Sequence, residues 1–198
     1  MKALEIMVTN ECNWKCDYCL VDIHNKDYNI NMKDILESID NGIDSITLSG
    51  GEPGLISRID LIKIITKCKI HNIKIDMNTN GLFLEKYQDL IESSNIFGKI
   101  LYHCVENLEN HKKIKKYNIK NIEEIKYVIV LDIKENIENT EKDLLFFTEQ
   151  LKDVKCKIIP NLKNLKIKEF MKICMKITKN LKDFEIDLKD IAEELNRI

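Results

Sequence analysis

Apolar residues in this chain follow two alternating rhythms. Short runs of four to seven residues, rich in Ile and Val, recur at Ala3–Val8, Ser45–Leu48, Ile73–Met77, Lys99–Val105, Tyr127–Leu131 and Lys155–Ile159. Their length and near-continuous hydrophobicity predict buried parallel strands. Between them lie longer segments whose apolar positions repeat at helical spacing. Met32–Asn41 places Ile35, Leu36 and Ile39 on one face, and Ile59–Ile70 carries Ile62, Ile65 and Lys69 in turn with Leu61, Ile64 and Cys68 alongside, which reads as a well-buried helix. Glu85–Ser93 predicts a shorter helix. Glu138–Lys152 aligns Leu144, Phe147 and Leu151, and Lys168–Leu181 aligns Phe170, Ile173, Cys174, Ile177 and Leu181. The stretch Glu185–Ile198 predicts one more amphipathic helix, packed on the outside.

Six strand-then-helix units in succession imply an α/β fold of parallel strands joined by right-handed crossovers. A full eight-unit barrel takes about 250 residues, and 198 residues are too few for it. The expectation is an open sheet of six strand–helix units, with chemistry in the loops at the C-terminal ends of the strands. No Pro/Gly/Ser-rich linker interrupts the chain, so residues 1–198 are expected to form a single domain.

Composition narrows the function classes. Hydrophobic residues make up 44% and charged residues 32%, which supports a packed core and argues against disorder. The net charge of −2 gives no electrostatic basis for nucleic-acid or membrane-surface binding. The basic run His111-Lys112-Lys113-Ile114-Lys115-Lys116 lacks interleaved aromatics and reads as a solvated helix face. No segment approaches the roughly 18 uninterrupted apolar residues of a membrane helix. Glu5 and Asn10 interrupt the N-terminus before any signal-peptide apolar region develops. The expected location is therefore cytoplasmic, where thiols stay reduced. Seven cysteines in such a compartment need a reason other than disulfides.

Three of them provide it. Directly after the first predicted strand, Cys12, Cys16 and Cys19 stand in a Cys-x3-Cys-x2-Cys pattern. Thiolates are the standard ligands of iron–sulfur clusters and of structural zinc. Three close thiolates can hold three irons of a four-iron cluster and leave the fourth iron open, which is a catalytic arrangement. The competing reading is a non-enzymatic zinc module that uses Cys12, Cys16, Cys19 and His24. A zinc knuckle would need another Cys where Asn29 stands. Cys68, Cys104, Cys156 and Cys174 are scattered singly on predicted elements and read as buried apolar residues.

Two further motifs follow in order. Ser49-Gly50-Gly51-Glu52-Pro53 comes after the second strand, and Asn78-Thr79-Asn80-Gly81 after the third. The two glycines allow the backbone to approach a ligand and offer amides and carbonyls to it, and the Glu52 carboxylate suits a cationic amino group. Alone, each segment reads as an ordinary turn. Together with the cysteines, and with Tyr18 just before the third of them, the chain resembles the radical S-adenosylmethionine (SAM) enzyme superfamily.

The resemblance covers the whole chain as a bare six-unit core and implies an α/β fold, a partial (β/α)6 barrel of parallel strands. It implies that Cys12, Cys16 and Cys19 hold one [4Fe–4S] cluster whose fourth iron is chelated by S-adenosyl-L-methionine. It implies further that an electron from the reduced cluster, delivered by a flavodoxin- or ferredoxin-like donor, yields a 5′-deoxyadenosyl radical that removes hydrogen from substrate. Tyr18 is then expected near the adenine. Gly50, Gly51 and Glu52 are expected at the amino group, and Asn78, Asn80 and His103 at other polar parts of SAM. For His103 a satisfied core residue is the alternative. Glu106, Asn107, Asp132 and Asn161 are expected to face substrate. Trp14 either shields the cluster or meets a partner. The economy of the chain resembles activases of glycyl-radical enzymes and peptide-modifying members, which favours a peptide or protein substrate. A small molecule is the alternative: the size resembles the deazapurine-forming branch, although its Gly-Glu-Gly lead-in is missing here.

Overall fold

In the computed structural model, residues 2–21, 31–133, 137–161, 163, 166–177 and 184–186 are described. Seven strands follow one another in sheet order: β1 (Ala3–Thr9), β2 (Ser45–Gly50), β3 (Lys74–Thr79), β4 (Phe97–His103), β5 (Ile122–Leu131), β6 (Cys156–Pro160) and β7 (Phe184–Ile186). Neighbours β1 to β4 run parallel, as do β5, β6 and β7. The helices between them are α1 (Met32–Asp40), α2 (Arg58–His71), α3 (Leu82–Lys86), α4 (Gln88–Ser94), α5 (Ile137–Gln150) and α6 (Ile167–Ile177). No helix among the described residues is long and apolar enough to cross a membrane.

Three expectations are corrected. Among the described residues there are seven strands rather than six. The expected helix over Glu185–Ile198 begins inside β7, where the backbone pairs Lys157 with Glu185 and Ile158 with Ile186; residues 187–198 lie outside the described ones. The basic run 111–116 is irregular chain, not a helix face, although its lysines are exposed as expected. Ile114, the one apolar residue in that run, is buried.

Capping explains the helix limits. Asn31 accepts from the Lys33 N–H at the start of α1, and Ser57 accepts from the Asp60 N–H at the start of α2. Asn72 ends α2 in the left-handed conformation at φ 56°. The expected helix over Glu85–Ser93 is two short helices, α3 and α4, broken at Tyr87. On α2 the inward stripe is Leu61, Ile64, Ile65 and Cys68, while Ile62 lies on the exposed side.

The chain packs as two compact units that interleave along the sequence. The first comprises Met1–Lys15, Val21–Tyr102 and Lys116–Ile125; the second comprises Cys16–Leu20, His103–Lys115 and Lys126–Ile198. The first unit centres on Ile46 and Leu48 of β2, Ile75 and Met77 of β3, Leu61 and Ile64 of α2, and Phe83 and Phe97. The second centres on the buried run Tyr127–Leu131 with Leu144, Phe147, Phe170 and Ile173. Burying that much apolar surface is the main favourable term in folding.

Candidate functional site

The cysteine loop leaves the C-terminal end of β1 without regular secondary structure. Cys12, Cys16 and Cys19 are all reduced and half-buried, whereas Cys68, Cys104, Cys156 and Cys174 are buried. Burial pushes the thiols of Cys68, Cys156 and Cys174 up to about 12 and Cys104 well above its ordinary value. Those four stay protonated and apolar, as expected of core residues.

In the first unit, the end of β2 is clamped to the start of the cysteine loop. The Gly51 N–H donates to the Thr9 carbonyl at 2.6 Å, and the Glu52 N–H donates to the Glu11 carbonyl at 2.7 Å. A Cβ on Gly51 would come within 2.0 Å of the Glu11 carbonyl oxygen, and Gly50 holds φ +105°. The glycines therefore serve a close approach of backbone to backbone. The expectation that the Gly51 amide faces a ligand is corrected: it bonds Thr9.

Glu52 differs from expectation in the same way. Its side chain is 1% exposed. Oε1 accepts from the Gly54 N–H at 2.8 Å, the Thr79 hydroxyl at 2.7 Å and the Phe83 N–H at 3.1 Å, and Oε2 accepts from the Asn80 N–H at 2.7 Å. Burial raises its carboxyl above the ordinary range against those four lowering contacts. The carboxylate thus ties the β2 loop to the β3 loop instead of pointing at an amino group. Thr79, buried beneath it, carries no sequence signal beyond strand alternation, which puts it on the Ile75–Met77 face.

The Asn-Thr-Asn segment divides three ways. Thr79 belongs to the Glu52 hub. Asn80 turns its side chain to the cysteine loop, donating to Cys12 Sγ at 3.7 Å and to Asn13 Oδ1 at 2.8 Å. Asn78 keeps a buried Oδ1 that meets no hydrogen-bond partner among the described residues. An orphaned acceptor of that kind suits a bound donor.

In the second unit, the Tyr18 hydroxyl donates to the Val105 carbonyl at 2.9 Å. Its pKa is raised, first by burial and then by the neighbouring Cys16. Tyr18 lines a cavity of about 100 Å³ together with Asp17, Glu106, Asn107, Glu109, Asp132, Asn139 and Asp143. Three of the expected substrate-facing residues thus meet in one place, and Asn161 bonds to Asp132 at 3.0 Å. Asn139 and Asp143 were missed by sequence reasoning. Their i, i+4 spacing on α5 was the available signal, masked by the flanking apolar positions Leu144 and Phe147. Asp143 is paired with His111 at 2.6 Å, and Lys163 donates to the Asp17 carbonyl at 3.3 Å. His103 ends β4 half-buried, and burial, with the Lys157 charge second, lowers its pKa to about 4. It is a neutral imidazole near neutral pH.

Among the described residues, no three His, Cys, Asp or Glu side chains already stand together as a metal-holding group. His24, the zinc alternative's fourth ligand, lies outside the described residues. The fit to an iron–sulfur cluster rests on the donor set. Three accessible thiols share one loop, the Cys19 N–H turns back to the Cys16 carbonyl at 3.1 Å, and the Trp14 N–H donates to Cys12 Sγ at 3.4 Å. N–H groups aimed at sulfur are what a cluster thiolate accepts.

Comparison with known proteins relates these features to a family. Residues 6–101 match the family model of the radical SAM superfamily. The chain is 33% identical over 121 residues to a probable GTP 3′,8-cyclase of Methanococcus maripaludis, covering 58% of this chain and 40% of that one. It is 29% identical to a probable GTP 3′,8-cyclase of Methanococcus aeolicus across 100% of this chain and 67% of that one. Streptococcus suis SuiB bound to its precursor peptide SuiA superposes with a TM-score of 0.62 at 16% identity, over 93% of this chain and 48% of SuiB. SuiB bound to S-adenosylmethionine gives 0.56. The fold is the α/β partial-barrel core shared with these proteins, and residues 6–101, just under half of the chain, are similar to the radical SAM superfamily. The family's cofactors are a [4Fe–4S] cluster and S-adenosylmethionine. The chain spans between two fifths and two thirds of the length of these two relatives.

Proposed function

We propose that this chain is the core of an enzyme that reductively cleaves S-adenosylmethionine and abstracts a hydrogen atom from a peptide or protein substrate. The observation that carries the reading is the clamp in the first unit: the cysteine loop is bonded to Gly51 and Glu52 after β2 and to Asn80 after β3. Three strand ends are thereby built around the first thiol. When bound, the cluster supplies the electron that converts S-adenosylmethionine to methionine and a 5′-deoxyadenosyl radical.

The remaining work falls to side chains. Cys12, Cys16 and Cys19 hold the cluster, and the four buried thiols, kept protonated, leave it the single cluster of this chain. The orphaned Asn78 Oδ1 accepts from the bound cofactor, and neutral His103 offers a ring nitrogen without adding charge. Tyr18 presents its ring beside the cavity. Glu52 and Gly51 act as positioning residues. A flavodoxin- or ferredoxin-like donor supplies the electron, with half-buried Trp14 as an apolar approach surface in the loop.

The substrate preference rests on charge. Five carboxylates line the cavity beside Tyr18. Ammonium, guanidinium and amide donors of a peptide meet them favourably, and the phosphates of a nucleoside triphosphate meet like charge. A small-molecule substrate is the second reading, favoured by the relatives named as GTP 3′,8-cyclases.

The test is anaerobic reconstitution with iron and sulfide, followed by dithionite and S-adenosylmethionine, with 5′-deoxyadenosine measured by chromatography. Product from the native chain and none from Cys16→Ala is expected. Undiminished product after replacing Cys12, Cys16 and Cys19 together, or binding of zinc in place of iron, overturns the reading. Stimulation of product formation by GTP but not by lysine-containing peptides selects the second reading.

A further inference from the structure

Asn80 holds an unusual position for a residue in a turn. Its backbone N–H is fixed by the buried Glu52 carboxylate at 2.7 Å. Its side-chain oxygen accepts from the Leu82 N–H at 3.3 Å, at the first residue of α3. A backbone N–H is only a donor, so this contact settles which end of the amide is oxygen. The –NH₂ end must then face the cysteine loop, where it reaches Asn13 Oδ1 at 2.8 Å and Cys12 Sγ at 3.7 Å. The same sulfur accepts from the Trp14 N–H at 3.4 Å. Cys12 thus receives one donor from its own loop and one carried across from β3 on a rigid support.

We propose that Asn80 is a positioning residue that tunes the reduction potential of the cluster through its N–H donation to Cys12. The inference rests on the cluster assignment above. Reduction adds one negative charge that is shared by the sulfurs, so a donor aimed at a ligand sulfur stabilises the reduced form more than the oxidised one. Glu52 contributes at one remove, by fixing the backbone from which the amide projects. The electron itself comes from the external donor.

The test is a mediated redox titration of the reconstituted native protein and of Asn80→Ala, Asn80→Ser and Asn13→Ala, followed by the electron paramagnetic resonance signal of the reduced cluster. Iron content is measured beside it. Asn80→Ser retains a short acceptor for the Leu82 N–H but no longer reaches the sulfur. The expected result is a more negative midpoint in both Asn80 variants, with the ratio of reduced to oxidised cluster at a fixed potential lowered about tenfold, which for one electron corresponds to 59 mV. Asn13→Ala keeps the donor to sulfur and is expected to hold the native midpoint. Unchanged midpoints in cluster-loaded Asn80 variants overturn the proposal. So does an equal shift in Asn13→Ala, because the effect would then come from loop placement alone. Loss of iron from both Asn80 variants with retention in Asn13→Ala also overturns it, in favour of a role in assembly. Failure of the native chain to take up iron would instead fail the functional reading, so the two failures are distinguishable.

Discussion

Glu52 in the first unit and the carboxylates of the second unit's cavity are the same chemical group in opposite settings. Glu52 is buried and accepts four hydrogen bonds from two loops. Asp17, Glu106, Glu109, Asp132 and Asp143 instead share a cavity of about 100 Å³. A buried charge is tolerated only where donors replace its water. The identity of Glu52 is therefore dictated by its neighbours within the fold. Like charges gathered round a cavity do not help folding, and under the proposed function their value lies in what they admit. Motif membership alone does not decide which way a side chain turns: the motif residue Glu52 holds the frame, while Asp17 and Tyr18 of the cysteine motif line the cavity beside residues outside any motif.

The sharpest way to break this contrast is Glu52→Ala. It leaves buried donors on Gly54, Thr79, Asn80 and Phe83 without an acceptor, and each such group costs about 1–3 kcal/mol. A loss of at least about 3 kcal/mol in chemical denaturation is expected, or failure to fold. Glu52→Gln should fall between, because one oxygen is kept and the other end becomes a donor facing a donor. A change below 1 kcal/mol in Glu52→Ala would put Glu52 in the same class as the cavity carboxylates.

Gly51→Ala tests the clamp beside it. The added Cβ meets the Glu11 carbonyl at 2.0 Å, so backbone must move. Overpacking of this kind costs about 1–3 kcal/mol, and lower iron loading per chain is expected alongside the lowered stability.

In the second unit, His103 predicts a pH dependence. Its folded pKa of about 4 lies below the ordinary 6.5. A lowered pKa means that the unfolded chain binds the proton first. Its contribution is thus complete above pH 6.5 and is lost as pH falls towards 4. One proton gives a slope of at most about 1.4 kcal/mol per pH unit. Glu52 works with the opposite sign, since its raised pKa favours the fold below its ordinary 4.5 and less as pH rises. Comparing native and His103→Gln denaturation across pH 4–7 isolates the histidine. A parallel pair of curves would refute the assignment.

The smallest effect is expected in the cavity. Glu106→Gln combined with Asp132→Asn should change stability by no more than about 1 kcal/mol while altering the response to added peptide. A large stability loss would erase the difference between the two regions.

Much of this was legible in the sequence because the signals were local. Ile-rich runs gave six of the seven strands within a few residues, since burial on both faces leaves a continuous apolar record. The seventh strand escaped because three residues, Phe184–Ile186, carry too short a pattern to separate from a helix. The cysteine loop was legible because ligand chemistry restricts residue type and spacing together. The roles of Gly51, Glu52 and Asn80 were not. Their contacts join residues 27 to 68 positions apart, and nothing in Gly-Gly-Glu-Pro or Asn-Thr-Asn-Gly distinguishes an amide facing a ligand from one facing Thr9 or Cys12.

The sequence by itself determined the strand-and-helix alternation, the placement of chemistry at strand ends and the separation of three loop thiols from four core ones. Each of these follows from residue type at fixed spacing. Tertiary structure decided which way the polar side chains at those strand ends turn. It sent Glu52 inward, Asn80 to Cys12 and Glu106 with Asp132 to a common cavity. The physical reason is that a polar group's role is set by the partner that satisfies it, and those partners come together only when the strands lie side by side.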